Sequence, residues 1–224
     1  MSDQNKKKVD DYNGLEDLLE QINILQRLFL STSKSIMEAA DSSIHPLDYF
    51  ALSVIDRAIS LNKGYKTLIE SDNMASAVCL VRLQLDNLIR YYALLICDAP
   101  LKLMDHIFAG KPLNEYKENN QKFTDSFLAR RLDADYPNSY SLYKHLCNYI
   151  HYGYTHIDYI FREKEVKSEK SSHRVVIGDS NKFNTEQIID YTENLLFISG
   201  ILLKLMKTWA IEKNVWGRSI NGVE

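Results

Sequence analysis

The sequence predicts an all-α protein: a multi-helix bundle with a long central helix and a small β-hairpin inserted before the last helix. Three observations carry that prediction. Apolar residues recur at the helical period over most of the 224 residues. Only 8 Gly and 4 Pro are present, too few for a turn-rich sandwich or barrel. One stretch alone, about 155–179, alternates in the manner of paired strands. The length suits one domain with a single core. A flexible N-terminus (1–14), a helical domain (15–213) and a C-terminal tail (214–224) are expected.

The first helix is expected over Leu15–Ala39, where apolar residues at 15, 18, 19, 22, 25, 28, 29 and 36 line one face. His45-Pro46 interrupts the pattern, and Pro in a first turn suits a new helix over 47–70. Ser71-Asp72 provides an N-cap for a third helix, 73–98, which Asp98-Ala99-Pro100 ends. A short helix at 100–109 stops at Gly110, and 111–120 reads as a polar loop. Two further helices, 121–134 and 138–152, flank Tyr136-Pro137. The runs 155–166 and 173–179 enclose the charged segment KSEKSS and read as a hairpin. Asn184-Thr185 then caps a final helix over 185–213.

Composition narrows the setting. Three cysteines (79, 97, 147) with no CxxC spacing argue against a disulfide scaffold or a thiolate zinc site. The lysines of the polar N-terminus are followed by no apolar run, so no signal peptide is expected. Residues 195–211 come nearest to a membrane span, but Lys204 and Lys207 interrupt them, and the run reads as a buried helix. A cytoplasmic protein without membrane attachment is the expectation. A net charge of −3 gives no global attraction to nucleic acid, so any RNA contact must be local.

Two constellations bear chemistry. The third helix is apolar nearly all round, yet Arg82, Asp86 and Arg90 recur at i, i+4, i+8 and form one stripe. Charges on such a helix cost several kcal/mol, on the order of the usual burial penalty, unless they pair or face a wet cleft. The stripe is therefore either an internal ion-pair ladder, with the final helix as a possible partner, or a cationic wall for an anion.

The second constellation is NSYSLYKHLCNYIHYGYTHIDY, 138–159. Seven of the 14 tyrosines (136, 140, 143, 149, 152, 154, 159) fall between 136 and 159. Helical geometry gives Tyr143, Leu146, Cys147 and Ile150 a core face, Lys144, Asn148 and His151 a second face, and His145 and Tyr149 a third. His151 lies at the helix end before Gly153, where it is either a cap favoured by the helix dipole or a proton-transfer group beside a cation. The tyrosines, Tyr136, Tyr140, Tyr143 and Tyr152 among them, are either half-buried packing groups or a stacking surface for unpaired bases. His145, His151 and His156 lack the spacing of a metal site, and no cofactor is expected.

Two segments resemble a known family. ASAVCLVRLQLDNLIRYYALL, with its Arg-x3-acid-x3-Arg pattern followed by aromatics, looks like the central helix of HEPN-like families of unknown function in bacterial conflict loci. An all-α bundle of this size that ends one helix on a Leu-x-x-Tyr-Ile-His segment, here at His151, resembles the HEPN superfamily. Together they cover about a quarter of the chain. The resemblance implies an all-α fold, a homodimer or a protein partner, and a metal-independent endoribonuclease of a defence or toxin–antitoxin setting. It places His151 as acid/base, with Lys144 in the position of the family's motif arginine and six residues between them. Lys144 with Arg82 or Arg90 would hold the scissile phosphate, Asn148 would orient groups nearby, and His145, Tyr149, Tyr152 and His156 would contact RNA. Lys is a point charge without the planar fork of Arg, so the motif departs from the family there. The alternative is a non-catalytic helical interaction or regulatory module in which Asp86 is the centre of a structural ion pair.

Overall fold

In the computed structural model, which describes residues 3–151, 153 and 183–221, with side chains over 14–151, 153 and 183–215, seven α-helices make up most of the described chain. They are α1 (Asp3–Glu38), α2 (Pro46–Glu70), α3 (Met74–Ile96), α4 (Pro100–Phe108), α5 (Asp125–Asp135), α6 (Ser139–Ile150) and α7 (Thr185–Asn221). The all-α prediction holds, and α3 is the central helix. The first and last helices extend beyond their expected bounds. Residues 3–14, expected to be irregular, already belong to α1, and α7 continues through 214–221. Neither stretch contains a proline, so nothing removes a backbone donor from a helix that packing elsewhere has nucleated.

Helix α1 presents Ile22, Phe29 and Ile36, one every seven residues and all fully buried. That seam packs on α7, whose Leu195, Ile198, Leu202 and Met206 close the same core. Helices α1 and α7 run parallel, since the Ile36 and Ala40 backbones meet Lys213 and Asn214. Helix α2 runs against both: its Tyr65 hydroxyl bonds Thr192 at 2.9 Å, and its Asp48 meets Trp209 at the other end. Between them Gln84 of α3 donates to Ser199 (2.9 Å), whose hydroxyl donates on to Asn62 (3.1 Å). These buried polar links fix the register of three helices whose apolar faces alone would tolerate sliding. Thus α7 is the one described helix long and apolar enough to cross a membrane, yet half of its most apolar window is buried inside the bundle.

One buried ion pair ties three helices together. Asp48 and Lys213 are both fully buried, with Nζ 2.8 Å from Oδ2. Both groups have further partners: Asp48 accepts from the Trp209 indole (2.9 Å) and the His45 backbone (2.8 Å), and Lys213 donates to the Ile36 carbonyl (2.8 Å). Pro46 at the first helical position sets up this corner, because Asp48 can then cap the N–H of His45.

Helices α5 and α6 lie on the far side of α3. The segment 111–120, read as a loop, contains a 3-10 turn (Leu113–Glu115) and the first arm of a two-residue antiparallel ladder. Here β1 (Lys117–Glu118) pairs with β2 (Gln121–Lys122) across Asn119-Asn120, both with φ positive at 48° and 64°. Paired left-handed asparagines make the tight hairpin turn, and two polar residues per strand are too few to show alternation. Glu118 then caps α4, accepting from the Asp98 and Ala99 backbones at 3.0 and 3.2 Å. The hairpin expected at 155–179 lies outside the described residues.

Removing one member of the buried pair leaves a full charge without its partner. Lys213→Met is expected to cost about 3–5 kcal/mol, read by urea denaturation. Adding Asp48→Asn, which keeps the acceptor for Trp209, should restore most of that loss. Unchanged stability in the single variant would contradict the role given to the pair.

Candidate nucleic-acid interface

The charged stripe of α3 is a paired network. Arg90 Nε bonds Asp86 Oδ2 at 3.1 Å, and Arg82 Nη1 lies 3.8 Å from Asp86 Oδ1. Two residues that the sequence reading left out complete it. Arg57 of α2 reaches Asp86 at 3.7 Å, and Asp125 accepts from the other arm of Arg90 at 3.1 Å. Asp125 sits in the first turn of α5 behind the Thr124 cap, where the helix dipole favours a carboxylate. Burial opposes the charge on Arg90, but Asp86 and Asp125 together hold its guanidinium protonated more firmly than usual. The partners come from α2 and α5, not from the final helix. Arg57 and Asp125 were hard to find in the sequence because each is one charge on an otherwise ordinary surface face.

Arg82 connects this network to the tyrosines. Its guanidinium lies over the Tyr143 ring, 4.9 Å from the centroid, and Tyr143 stacks on Tyr140 at 6.1 Å and 12°. Arg130 of α5 lies over Tyr140 at 5.1 Å and donates to its hydroxyl at 3.0 Å. The Lys144 ammonium is 5.9 Å from the same ring, and Lys204 of α7 lies 5.6 Å from the Tyr136 ring. Asp133 fixes the start of α6 by accepting from the Tyr140 backbone at 3.0 Å. Arg130, Lys144 and Lys204 are exposed and both stacked rings are half-buried, so α5 and α6 present cations around a tyrosine pair. The rings pack against one another and still reach solvent.

Lys144, Asn148 and His151 share the exposed side of α6. His151 is the C-cap residue, its N–H bonded to the Cys147 carbonyl at 2.9 Å. The Gly153 N–H bonds the Asn148 carbonyl at 2.8 Å, and a Cβ on Gly153 would fall 1.6 Å from Asn148 Oδ1. The turn after α6 therefore has room for glycine alone. His145 joins its Nε2 to the Tyr191 hydroxyl of α7 at 2.9 Å.

The buried face of α6 is rotated from the expected one. Ser139, Leu146 and Tyr149 are buried, while Ile150 is 40% exposed. Tyr149, grouped with His145 on an open face, instead enters the core and donates to the Ala75 carbonyl at 3.1 Å. A buried ring with its hydroxyl so engaged has no face for a base. The competing pattern prevailed because Leu142, Leu146 and Tyr149 also follow helical spacing, and the Tyr149 hydroxyl finds a carbonyl at the start of α3. Tyr152 and His156 lie outside the described residues.

The same contacts fix what converges. Tyr149 meets Ala75 and Tyr143 meets Arg82, so α6 runs antiparallel to α3. His151 therefore lies at the Ala75 end. With about 1.5 Å of rise per residue, Arg82 is about 10 Å and Arg90 about 22 Å further along α3. Within one chain Arg90 and His151 do not share a phosphate. Among the described residues, no three His, Cys, Asp or Glu side chains are grouped to hold a metal ion.

The two stacked tyrosines should titrate apart. The Arg130 hydrogen bond lowers the Tyr140 phenol below its usual range, while burial raises Tyr143 to about 12 despite Arg82. In an alkaline titration followed by tyrosinate absorbance, Arg130→Gln should delay the earliest-ionising tyrosine and leave the late ones in place. The raised Tyr143 group stabilises the fold fully below pH 10 and loses that contribution as pH rises towards about 12.

No protein-family model, curated protein or solved structure matches this chain, so its role is read from these side chains.

Proposed function

We propose that this chain is a non-catalytic helical module, HEPN-like in kind and cytoplasmic in setting, that holds single-stranded RNA on its α5–α6 face. The Tyr140–Tyr143 stack flanked by Arg82, Arg130 and Lys144 is the observation that carries this reading. Aromatic rings beside cations suit unpaired bases and the phosphates between them. Arg130 and Lys144 keep donors free for phosphate oxygens while their charge rests on a ring. In this reading Arg82, Asp86 and Arg90 are structural: they hold α5 and α6 against α3 and so set the spacing of the outer cations.

A second reading is supported by the open Lys144–Asn148–His151 side of α6. Across a two-fold axis, two such faces would form one cleft, and the second cation would come from the partner copy. His151 would then remove the proton of the ribose 2′-hydroxyl, whose oxygen bonds to phosphorus as the P–O5′ bond breaks; the partner copy's protonated histidine would give the departing 5′-oxygen its proton while Lys144 steadied the phosphate, leaving a 2′,3′-cyclic phosphate without a metal. This is the metal-independent ribonuclease of a defence or toxin–antitoxin setting.

One assay separates the two. A labelled single-stranded RNA should bind with salt-dependent affinity, and Arg130→Glu with Lys144→Glu should weaken it about tenfold or more, as for two lost phosphate contacts. On a gel, in EDTA, the RNA should remain intact with wild type. Cleavage that His151→Ala abolishes would favour the second reading, and absence of binding by the wild type would sink both.

A further inference from the structure

At the opposite end of the bundle from His151 lies a cavity of about 190 Å³, walled by Leu47, Leu94, Cys97 and the Trp209 ring, with Tyr91 and Glu212 among its lining. Its walls are mostly apolar. Cys97 contributes an uncharged surface, because its thiol donates to Glu118 at 3.2 Å. An apolar cavity of ~150 Å³ holds one benzene ring, so this one has space for a ring and a short substituent.

Two polar groups define that substituent. Tyr91 is 2% exposed, yet its hydroxyl makes no hydrogen bond to the described residues. Burial, with the Glu212 and Asp48 carboxylates nearby, raises the phenol above its usual range, so the group stays neutral and can donate or accept. Tyr91 and Glu212 line the same cavity, and the Glu212 side chain is exposed to solvent. Asp48 is neutralised by Lys213, which leaves Glu212 as the one uncompensated charge among the lining residues. The cavity thus combines a ring-sized apolar body with a hydroxyl-bearing ring and an exposed anion in its lining.

We infer that this cavity is a binding site for a small apolar amine, its ring between Leu47, Leu94 and Trp209 and its ammonium on Glu212 and the Tyr91 hydroxyl. The ammonium gives the Tyr91 hydroxyl, which has no hydrogen bond to the described residues, a partner and adds attraction to the Trp209 face. A carboxylate of the same shape meets Glu212 and is rejected. The site is independent of the RNA face, which lies on the other side of α3.

Benzylamine, benzyl alcohol and benzoate are suitable probes, titrated by ligand-observed NMR against the full chain. The wild type should take benzylamine about fivefold more tightly than benzyl alcohol, as expected for one partly exposed charge pair, and should not take benzoate. Glu212→Gln should abolish that preference while leaving benzyl alcohol bound. Tyr91→Phe, which keeps the ring, should weaken both. Melting curves of each variant confirm that the fold is retained. Absence of binding by wild type, equal binding of benzoate and benzylamine, or an amine preference that survives Glu212→Gln would overturn the proposal.

Discussion

Three charges on the most buried helix are the constraint around which the rest of the molecule is arranged. Arg82, Asp86 and Arg90 stand in one row on α3 and each needs a counter-charge or an aromatic face. Asp86 alone cannot balance two arginines and also Arg57 of α2, so Asp125 at the start of α5 takes the second arm of Arg90. Tyr143 of α6 covers Arg82. The positions of α5 and α6 are thus set by what α3 must neutralise, and the outer cations Arg130 and Lys144 follow from the positions of those helices.

The other end of the bundle solves a similar problem by sealing it. Asp48 and Lys213 exclude water entirely and satisfy each other together with Trp209, His45 and Ile36. Such a pair is weak as a source of net stability but strong as a register device, since no other alignment of α1, α2 and α7 leaves both charges paired. Because Trp209 is turned towards Asp48, it also forms one wall of the neighbouring cavity. Two chemically different faces therefore occupy opposite sides of one scaffold: cations and tyrosines at α5–α6, and an apolar cavity with one carboxylate near the C-terminal half of α7.

Helical periodicity and sparse Gly and Pro were enough to read the fold class and the seven described helices from the sequence, because both are local signals. The Arg82–Asp86–Arg90 row was legible for the same reason. Its partners were not: Arg57 and Asp125 are ordinary single charges until tertiary packing brings them to Asp86. The Asp48–Lys213 pair stayed hidden because each residue, read locally, belongs to a solvated face. Tyr149 was misplaced because two helical faces of α6 compete, and the outcome turned on a carbonyl of α3. The cavity needed four helices together before Tyr91 and Glu212 shared one lining.

The central claim is that the α3 stripe is structural and positions a binding face. A double-mutant cycle on Arg82 and Asp86 in urea denaturation tests it most directly. The account predicts that Asp86→Ala and Arg82→Ala each destabilise the fold, with a coupling of about 1–2 kcal/mol, as for a partly buried charged pair. Additive effects, with Asp86→Ala as stable as the wild type, would contradict it.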